Sequence, residues 1–499
     1  MPIKVTIIGA GSLIFSRRLM HDILAVPELR NTTFGLTDIS KRNLDMAARL
    51  VRRDLKANKL RAKVISTQNR RKALEGANYV INSARIGGLA GLEMDVEIPL
   101  KYGVDQCVGD TLSAGGIMYG QRNFPALMEF CDDIKAVSKP GALMLNYANP
   151  NAMNTWAVSK YGGVPVVGLC HGVAGSHYQI AQAIEVVINK GRRKGSKAYR
   201  EVSPKEVDVI AAGINHQTWF IKVEYRGKDW TGRLIEGFEK HPWYRKSEKL
   251  RIDMLRRFGY WSTESNGHLS EYVPWYRKDE KKMMKWIDMR SWGGGETAGY
   301  LRACMQGRNW FRTDFPNLMK AEPPVIGPEN RSSEHGSWII EALETGRVYR
   351  GHFNVVNGAT IPNLPADAIV EVPGYVDRHG INVPRVGELP LGCAAVCNAS
   401  ISVQRLSVEA AAAGDLTLLR QAMMMDPLVG AVLEPPEIGQ MTDEMLVANA
   451  EWLPQYAADI PKAKKRLKGA KMLYRRGYKG ARKQMKTVAE MRKKREVWE

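Results

Sequence analysis

The feature that most constrains this chain is an apolar strand that runs into a glycine turn and then a helix. Residues 3–8 are short, β-branched and almost wholly apolar, the pattern of a parallel strand buried on both faces. Gly9-Ala10-Gly11-Ser12 interrupts it, and helical spacing resumes over 13–24. Gly9 falls where the chain must turn and Gly11 where backbone must approach a pyrophosphate. The helix behind them offers free N–H groups and a positive dipole end. A second strand, 33–37, ends at Asp38, an acid placed to accept from ribose hydroxyls and to favour NAD over NADP. Ile14 stands where a third glycine would complete G-x-G-x-x-G, so a tight turn with no ligand is the competing reading.

The alternation continues. Strands are predicted at 62–66, 79–83, 143–147, 165–169 and 207–215, with helices at 41–57, 124–137 and 176–188 between them. This predicts an α/β chain with an N-terminal Rossmann-like, doubly wound sheet over 1–200. An α+β catalytic and substrate domain, also serving oligomerisation, is predicted over 201–459. Its strands are expected at 368–375 and 380–384, with one long helical region, 394–425, broken near Gly414. A basic tail follows over 460–499.

Composition matters mainly for that tail. The formal charge is +21, but residues 461–499 hold 16 Lys/Arg and 3 Asp/Glu, leaving only +8 for the other 460 residues. The charge therefore argues weakly for a nucleic-acid or membrane-surface partner, because the tail carries no base-reading motif and few aromatics. It reads as a solvated appendage whose removal leaves turnover intact. Six cysteines without a framework, no secretory leader and no apolar run near ~20 residues point to a reduced, cytoplasmic protein.

Three polar clusters close apolar strands, where open α/β sheets bind ligands: Asn149-Pro150-Asn151, Cys170-His171 and Asn215-His216. A thiolate and an imidazole at adjacent strand ends could hold a divalent metal, zinc or iron by ligand softness; a buried thiol and a core histidine are the plainer alternative. Asp110 precedes the Gly115-Gly116 pair. The segment Ser262 to Tyr272 gathers Glu264, His268, Glu271 and Tyr272, and reads either as acid/base machinery or as a capping box opening a surface helix.

In order, the phrases IIGAGSLIF, GDTLSAGGIM, LNYANPNAMNTWA, VGLCHGV, AGINHQTWF, TESNGHLSEYVPWY, NLPADAIVEV and MMMDPLVGAVL resemble glycoside hydrolase family 4, its α-galactosidase and α-glucuronidase members in particular. That family is an exception to two-carboxylate glycoside hydrolysis. The resemblance implies bound NAD that takes hydride from C3 of the sugar, a base that removes the C2 proton, departure of the aglycone, addition of water, and return of the hydride. It implies manganese rather than zinc on Cys170 and His216, sugar contacts at Asn149 and His171, and Asp110 as the acid at the aglycone. The base stays open among Glu264, His268 and Tyr272. Ser113-Ala114 replaces the family's Gly-Pro, and Tyr119-Gly120-Gln121-Arg122 replaces Arg-Ala-Leu-Arg, so Arg122 or Arg85 is expected on the pocket rim as a partner for a uronate carboxylate. His171-Gly172 matches unphosphorylated-sugar members. The expected substrate is therefore an unphosphorylated α-galactoside, α-glucuronide or α-galacturonide, handled by a homodimer or homotetramer. A sugar or hydroxy-acid dehydrogenase or epimerase using the same groups is the alternative.

Overall fold

The computed structural model describes residues 2–12, 14–305 and 314–482. Thirteen strands among them form one sheet: β1 (Lys4–Ile8), β2 (Thr33–Thr37), β3 (Lys63–Ser66), β4 (Tyr79–Asn82), β5 (Leu143–Asn146), β6 (Val166–Gly168), β7 (Val207–Ile214), β8 (Gln217–Tyr225), β9 (Lys228–Asp229), β10 (Trp261–Ser262), β11 (Tyr349–Val356), β12 (Ile369–Asp377) and β13 (Gly380–Asn382). The order β3-β2-β1-β4-β5-β6 is wholly parallel, the doubly wound arrangement predicted from the alternation. Helices cover both faces, so β1, β2 and β4 are buried almost throughout.

Beyond β6 the same sheet continues antiparallel through β11, β12, β7, β8 and β10. The join is narrow: Asn354 pairs with Gly168, and Glu371 with Gly213. The chain thus passes the expected boundary near residue 200 without a break in the sheet. A cap of long helices, Leu391–Ala413, Leu416–Met425 and Pro435–Ala448, packs on the antiparallel half. The break near Gly414 falls where the sequence puts it, with Gly414 left-handed at the helix end.

Two helices begin earlier than their apolar spacing suggests. The helix expected at 124–137 spans Ser113–Val137 and runs through Pro125. Pro125 has no N–H for the carbonyl of Gln121, and Gln455 Nε2 donates to that carbonyl instead, at 2.8 Å. The helix expected at 176–188 spans Gly172–Ile188, with His171 at its N-cap. Of the two readings of the segment after Ser262, the capped surface helix does not hold: the helix there, Asn266–Tyr272, is fully buried and its cap is Ser265.

The basic tail is not free of the body. Residues 460–467 form a helix, and Met472, Leu473 and Tyr474 pack on the large core under the helical cap. The three side chains are partly buried there, and the chain stays against the body as far as Arg482; 483–499 lie outside the described residues.

Candidate active site

The order of the parallel strands reverses between β1 and β4, and the carboxyl ends at such a reversal are where open α/β sheets bind ligands. Gly9, at φ +82°, turns the chain there; a Cβ on it would stand 2.7 Å from the Ala84 Cα that follows β4. Gly11 N–H donates to Asp38 Oδ2 at 2.8 Å, and a Cβ on Gly11 would lie 2.7 Å from that oxygen. Ser12 Oγ accepts from Phe15 N–H at 3.1 Å, and the helix Phe15–Leu24 has no acid in its first turn. Ile14 is 40 % exposed, so the missing third glycine does not crowd the helix against the sheet.

The asparagine-rich turn after β5 is pinned before it reaches the site. Asn151 Nδ2 donates to the carbonyls of Asn146 and Leu169, both at 3.1 Å, and Asn123 Nδ2 to that of Asn149 at 2.8 Å. This leaves the Asn149 side chain free to donate to Asp110 Oδ2 at 3.0 Å. Asn151, by contrast, is spent on backbone.

Cys170 closes β6, His216 sits at φ +64° in the two-residue turn between β7 and β8, and Glu264 follows β10. Their donor atoms converge. Glu264 Oε2 lies 3.1 Å from His216 Nε2 and 3.7 Å from Cys170 Sγ. Gly172 makes room for this: a Cβ there would meet Glu264 Oε2 at 2.5 Å. Asp110, His216 and His268 form a second group sharing His216, and all the ligand atoms within each group lie within 4.8 Å of one another.

The protons can be assigned. Thr111 Oγ1 donates its single proton to Asp110 Oδ1 at 2.8 Å, so at His216 Nδ1, 2.9 Å away, it can only accept. His216 Nδ1 therefore carries a proton, which makes Nε2, facing Glu264, the ring nitrogen available to a metal. A sulfur, a nitrogen and a carboxylate oxygen then face one another, an arrangement completed by a cation. Softness and geometry suit a divalent metal with positions left open. Burial pushes the Glu264 carboxyl up, but His216, His268, His171 and Arg251 more than offset it, to about 2. Burial, then Glu264 and Glu371, push the Cys170 thiol well above its ordinary value, so a metal bound there must displace a proton.

Burial and the neighbouring His216 hold His268 down at about 4, which leaves it neutral near pH 7. Its Nδ1 is 2.7 Å from Ser265 Oγ. Tyr272 is fully buried, and its hydroxyl is pushed well above its ordinary value by burial, then by Glu271 and Asp110. His171 is exposed at the mouth. Glu271 accepts the N–H groups of Cys107, Val108 and Gly109 at 2.7, 3.1 and 2.9 Å, which shapes the loop that carries Asp110.

Arg122 departs from its expected place. Its guanidinium is 1 % exposed and bonded to both Asp95 oxygens and to Asn449 Oδ1, so it does not reach the pocket rim. Arg85 does: its Nη2 lies 3.9 Å from Asp110 Oδ2 and donates to Tyr300 Oη at 3.2 Å. The buried acid Glu371 accepts from Thr218 Oγ1 at 2.7 Å, and nothing in its apolar strand marks it as lying near Cys170. Nothing in the sequence around Thr111 marks its contact with His216 either.

A doubly wound nucleotide-type sheet with a thiol, imidazole and carboxylate at its open edge defines a two-part site. The models of the family 4 glycosyl hydrolases and of their C-terminal domain match residues 4–186 and 211–429, and the chain belongs to that family. It is 53 % identical over 495 residues to an alpha-galactosidase of Rhizobium meliloti (strain 1021), covering 99 % of this chain and 98 % of the relative. The lplD structure of Bacillus subtilis superposes with a TM-score of 0.73 at 26 % identity, covering 89 % of this chain and all of that one. The Thermotoga maritima 6-phospho-beta glucosidase, solved with manganese, NAD+ and glucose-6-phosphate, superposes with a TM-score of 0.68 at 23 % identity, over 90 % of this chain and 99 % of that one, a likeness of fold.

Proposed function

We propose that this enzyme hydrolyses an unphosphorylated α-galactoside with NAD and a divalent metal, manganese by preference, as resident cofactors. The observation that carries the reading is the convergence of Cys170, His216 and Glu264 in the same sheet whose first two strands lead into Gly9 and Asp38. Identity to an alpha-galactosidase supports the glycone, and the Thermotoga structure's ligands support the cofactors. Gly9, Gly11, Ser12 and Asp38 would hold NAD; Cys170, His216 and Glu264 would hold the metal. When bound, NAD supplies reversible hydride acceptance at C3 of the sugar, and the metal supplies positive charge against the C2 and C3 oxygens.

The chain's own residues do the rest. Asn149 and His171 orient the sugar hydroxyls. His268, neutral and sharing its donor cluster with His216, takes the C2 proton, and Ser265 holds its ring. Glu264 is then a ligand rather than the base, and Tyr272, buried with its proton, is not the base. Asp110, held by Thr111, Asn149 and Arg85, assists departure of the aglycone. Arg85 is the group that would meet a uronate carboxylate.

All six cysteines are free, and no helix among the described residues is long and apolar enough to cross a membrane. Cytoplasmic location and a homodimer or homotetramer complete the proposal; sedimentation reads the latter. The test of function is a panel of aryl α-galactosides, α-glucosides, α-glucuronides and α-galacturonides with NAD, manganese and a thiol reductant. Fastest release from the galactoside, dependent on both cofactors and without accumulating NADH, supports the reading. Stoichiometric NADH would mean a dehydrogenase.

A further inference from the structure

The C-terminal segment 471–482 is the part of the molecule that the proposed chemistry leaves unused, yet it is tied to the body at every turn. Leu473 N–H donates to Gln440 Oε1 at 2.7 Å, and Arg475 N–H to the carbonyl of Lys101 at 2.8 Å. Tyr474 packs edge-on against Tyr102, centroids 5.1 Å apart, and its hydroxyl donates to Glu444 at 2.9 Å. Ala481 is 1 % exposed and its carbonyl accepts from Thr297 N–H at 2.9 Å; Arg482 reaches Glu97 at 2.9 Å.

The target of this strap is Asp105, five residues before Asp110. Asp105 is fully buried and paired with Arg277, and it accepts from Thr297 Oγ1 at 2.8 Å. Tyr478 Oη approaches its Oδ2 at 3.4 Å. Gly480, at φ +67°, lies directly on that carboxylate: a Cβ there would come within 2.3 Å of Oδ2 and 2.4 Å of Thr297 Oγ1. From Asp105 the contact runs to the catalytic loop along two paths. Ala298 N–H and Tyr300 N–H donate to the carbonyls of Gln106 and Cys107, at 2.8 and 3.0 Å. Glu271 holds the next three amides, and Tyr300 Oη accepts from the Arg85 guanidinium that faces Asp110. The strap thus closes the outer side of a buried ion pair from which the Asp110 loop is hung.

We propose that residues 471–482 position Asp110 for aglycone departure by sealing Asp105 against Arg277 and Thr297. This rests on the role given to Asp110 above. It replaces the expectation that the tail is dispensable to turnover.

The test compares Gly480→Val in the full-length holoenzyme, a chain ending at Gly469, and Asp110→Asn, each on α-galactosides with good (nitrophenyl) and poor (alkyl) leaving groups. The strap variants are expected to keep NAD and Mn2+ binding within about twofold. They should lose kcat on the alkyl substrate by between about tenfold and a hundredfold, with a smaller loss on the nitrophenyl one, in the same sense as Asp110→Asn. Equal losses on both substrates, or none, while Asp110→Asn shows the leaving-group dependence, would overturn the proposal. If Asp110→Asn itself shows none, the role of Asp110 is wrong. Amide hydrogen exchange over 106–111 in the holoenzyme then decides: faster exchange in Gly480→Val supports positioning by the strap, and unchanged exchange overturns it.

Discussion

Glu264 Oε2 faces His216 Nε2 at 3.1 Å, and the hydroxyl of Thr111 on the far side of the imidazole places a proton on Nδ1, so that Nε2 is the nitrogen offered to a cation. A third ligand atom, Cys170 Sγ, stands 3.7 Å from the carboxylate oxygen. A cation satisfies all three.

Thr111→Val removes the group that fixes the His216 tautomer. Mn2+ affinity, read by paramagnetic resonance titration, is expected to fall on the order of ten- to a hundredfold, as for other groups that orient a metal-bound histidine. Gly172→Ala should weaken it as well, because its Cβ falls 2.5 Å from Glu264 Oε2. In both wild type and variants, affinity should rise with pH, since the Cys170 thiol must give up its proton to bind.

Asp38→Ala tests the cofactor side. The carboxylate that now accepts from Gly11 is the one available to a ribose. Losing a charged acceptor costs about 1.5–3 kcal/mol, roughly a tenfold to hundredfold weaker binding of NAD. NADH fluorescence titration measures it; unchanged affinity would place the dinucleotide elsewhere.

Asp95→Ala addresses the misplaced guanidinium. It leaves Arg122 buried and charged with only Asn449 Oδ1 and the Ile86 carbonyl as hydrogen-bond partners, which should cost about 3–5 kcal/mol of stability in urea titration. A loss confined to uronate substrates, with stability intact, would restore Arg122 to the pocket.

Acid should destabilise the fold in a defined window. Burial holds His268 and His335 at about 4 and His352 at about 3, against the usual 6.5. Their contribution is complete above about 6.5 and is lost as pH falls toward 4, because the unfolded chain takes protons that the folded chain refuses. Glu371 and Glu271, raised by burial to about 8 and 7, act in the opposite sense as pH rises from the usual 4.5. The readout is therefore a difference: His335→Gln should show a shallower loss of urea midpoint between pH 6.5 and 4 than wild type.

The parallel half of the sheet was legible because β1, β2, β4 and β5 are short apolar runs with glycine, asparagine or acid at their ends. Asp38 and Asn149 beyond β2 and β5, Cys170 beyond β6 and His216 beyond β7 stand out for the same reason, as polar residues closing apolar runs. The rest depends on pairing between residues far apart in the sequence. Arg122 looks exposed by type, but Asp95, 27 residues away, buries it. Helix Asn266–Tyr272 looks polar, yet its polar atoms are consumed by Leu250 N–H, by loop amides and by the Arg277 guanidinium. The strap looks like a solvated charge run because its anchors, Gly480 and Ala481, are small, and its partner Asp105 lies 375 residues earlier by number.

The most direct measurement is the isotope content of the released sugar. Turnover of an aryl α-galactoside in D2O, with NAD and Mn2+, should give galactose carrying deuterium at C2 by proton NMR, because His268 exchanges the proton it removes. Product with full protium at C2 at complete aglycone release would contradict elimination through C2, and with it the roles assigned here to His268, Asp110 and the Cys170–His216–Glu264 centre.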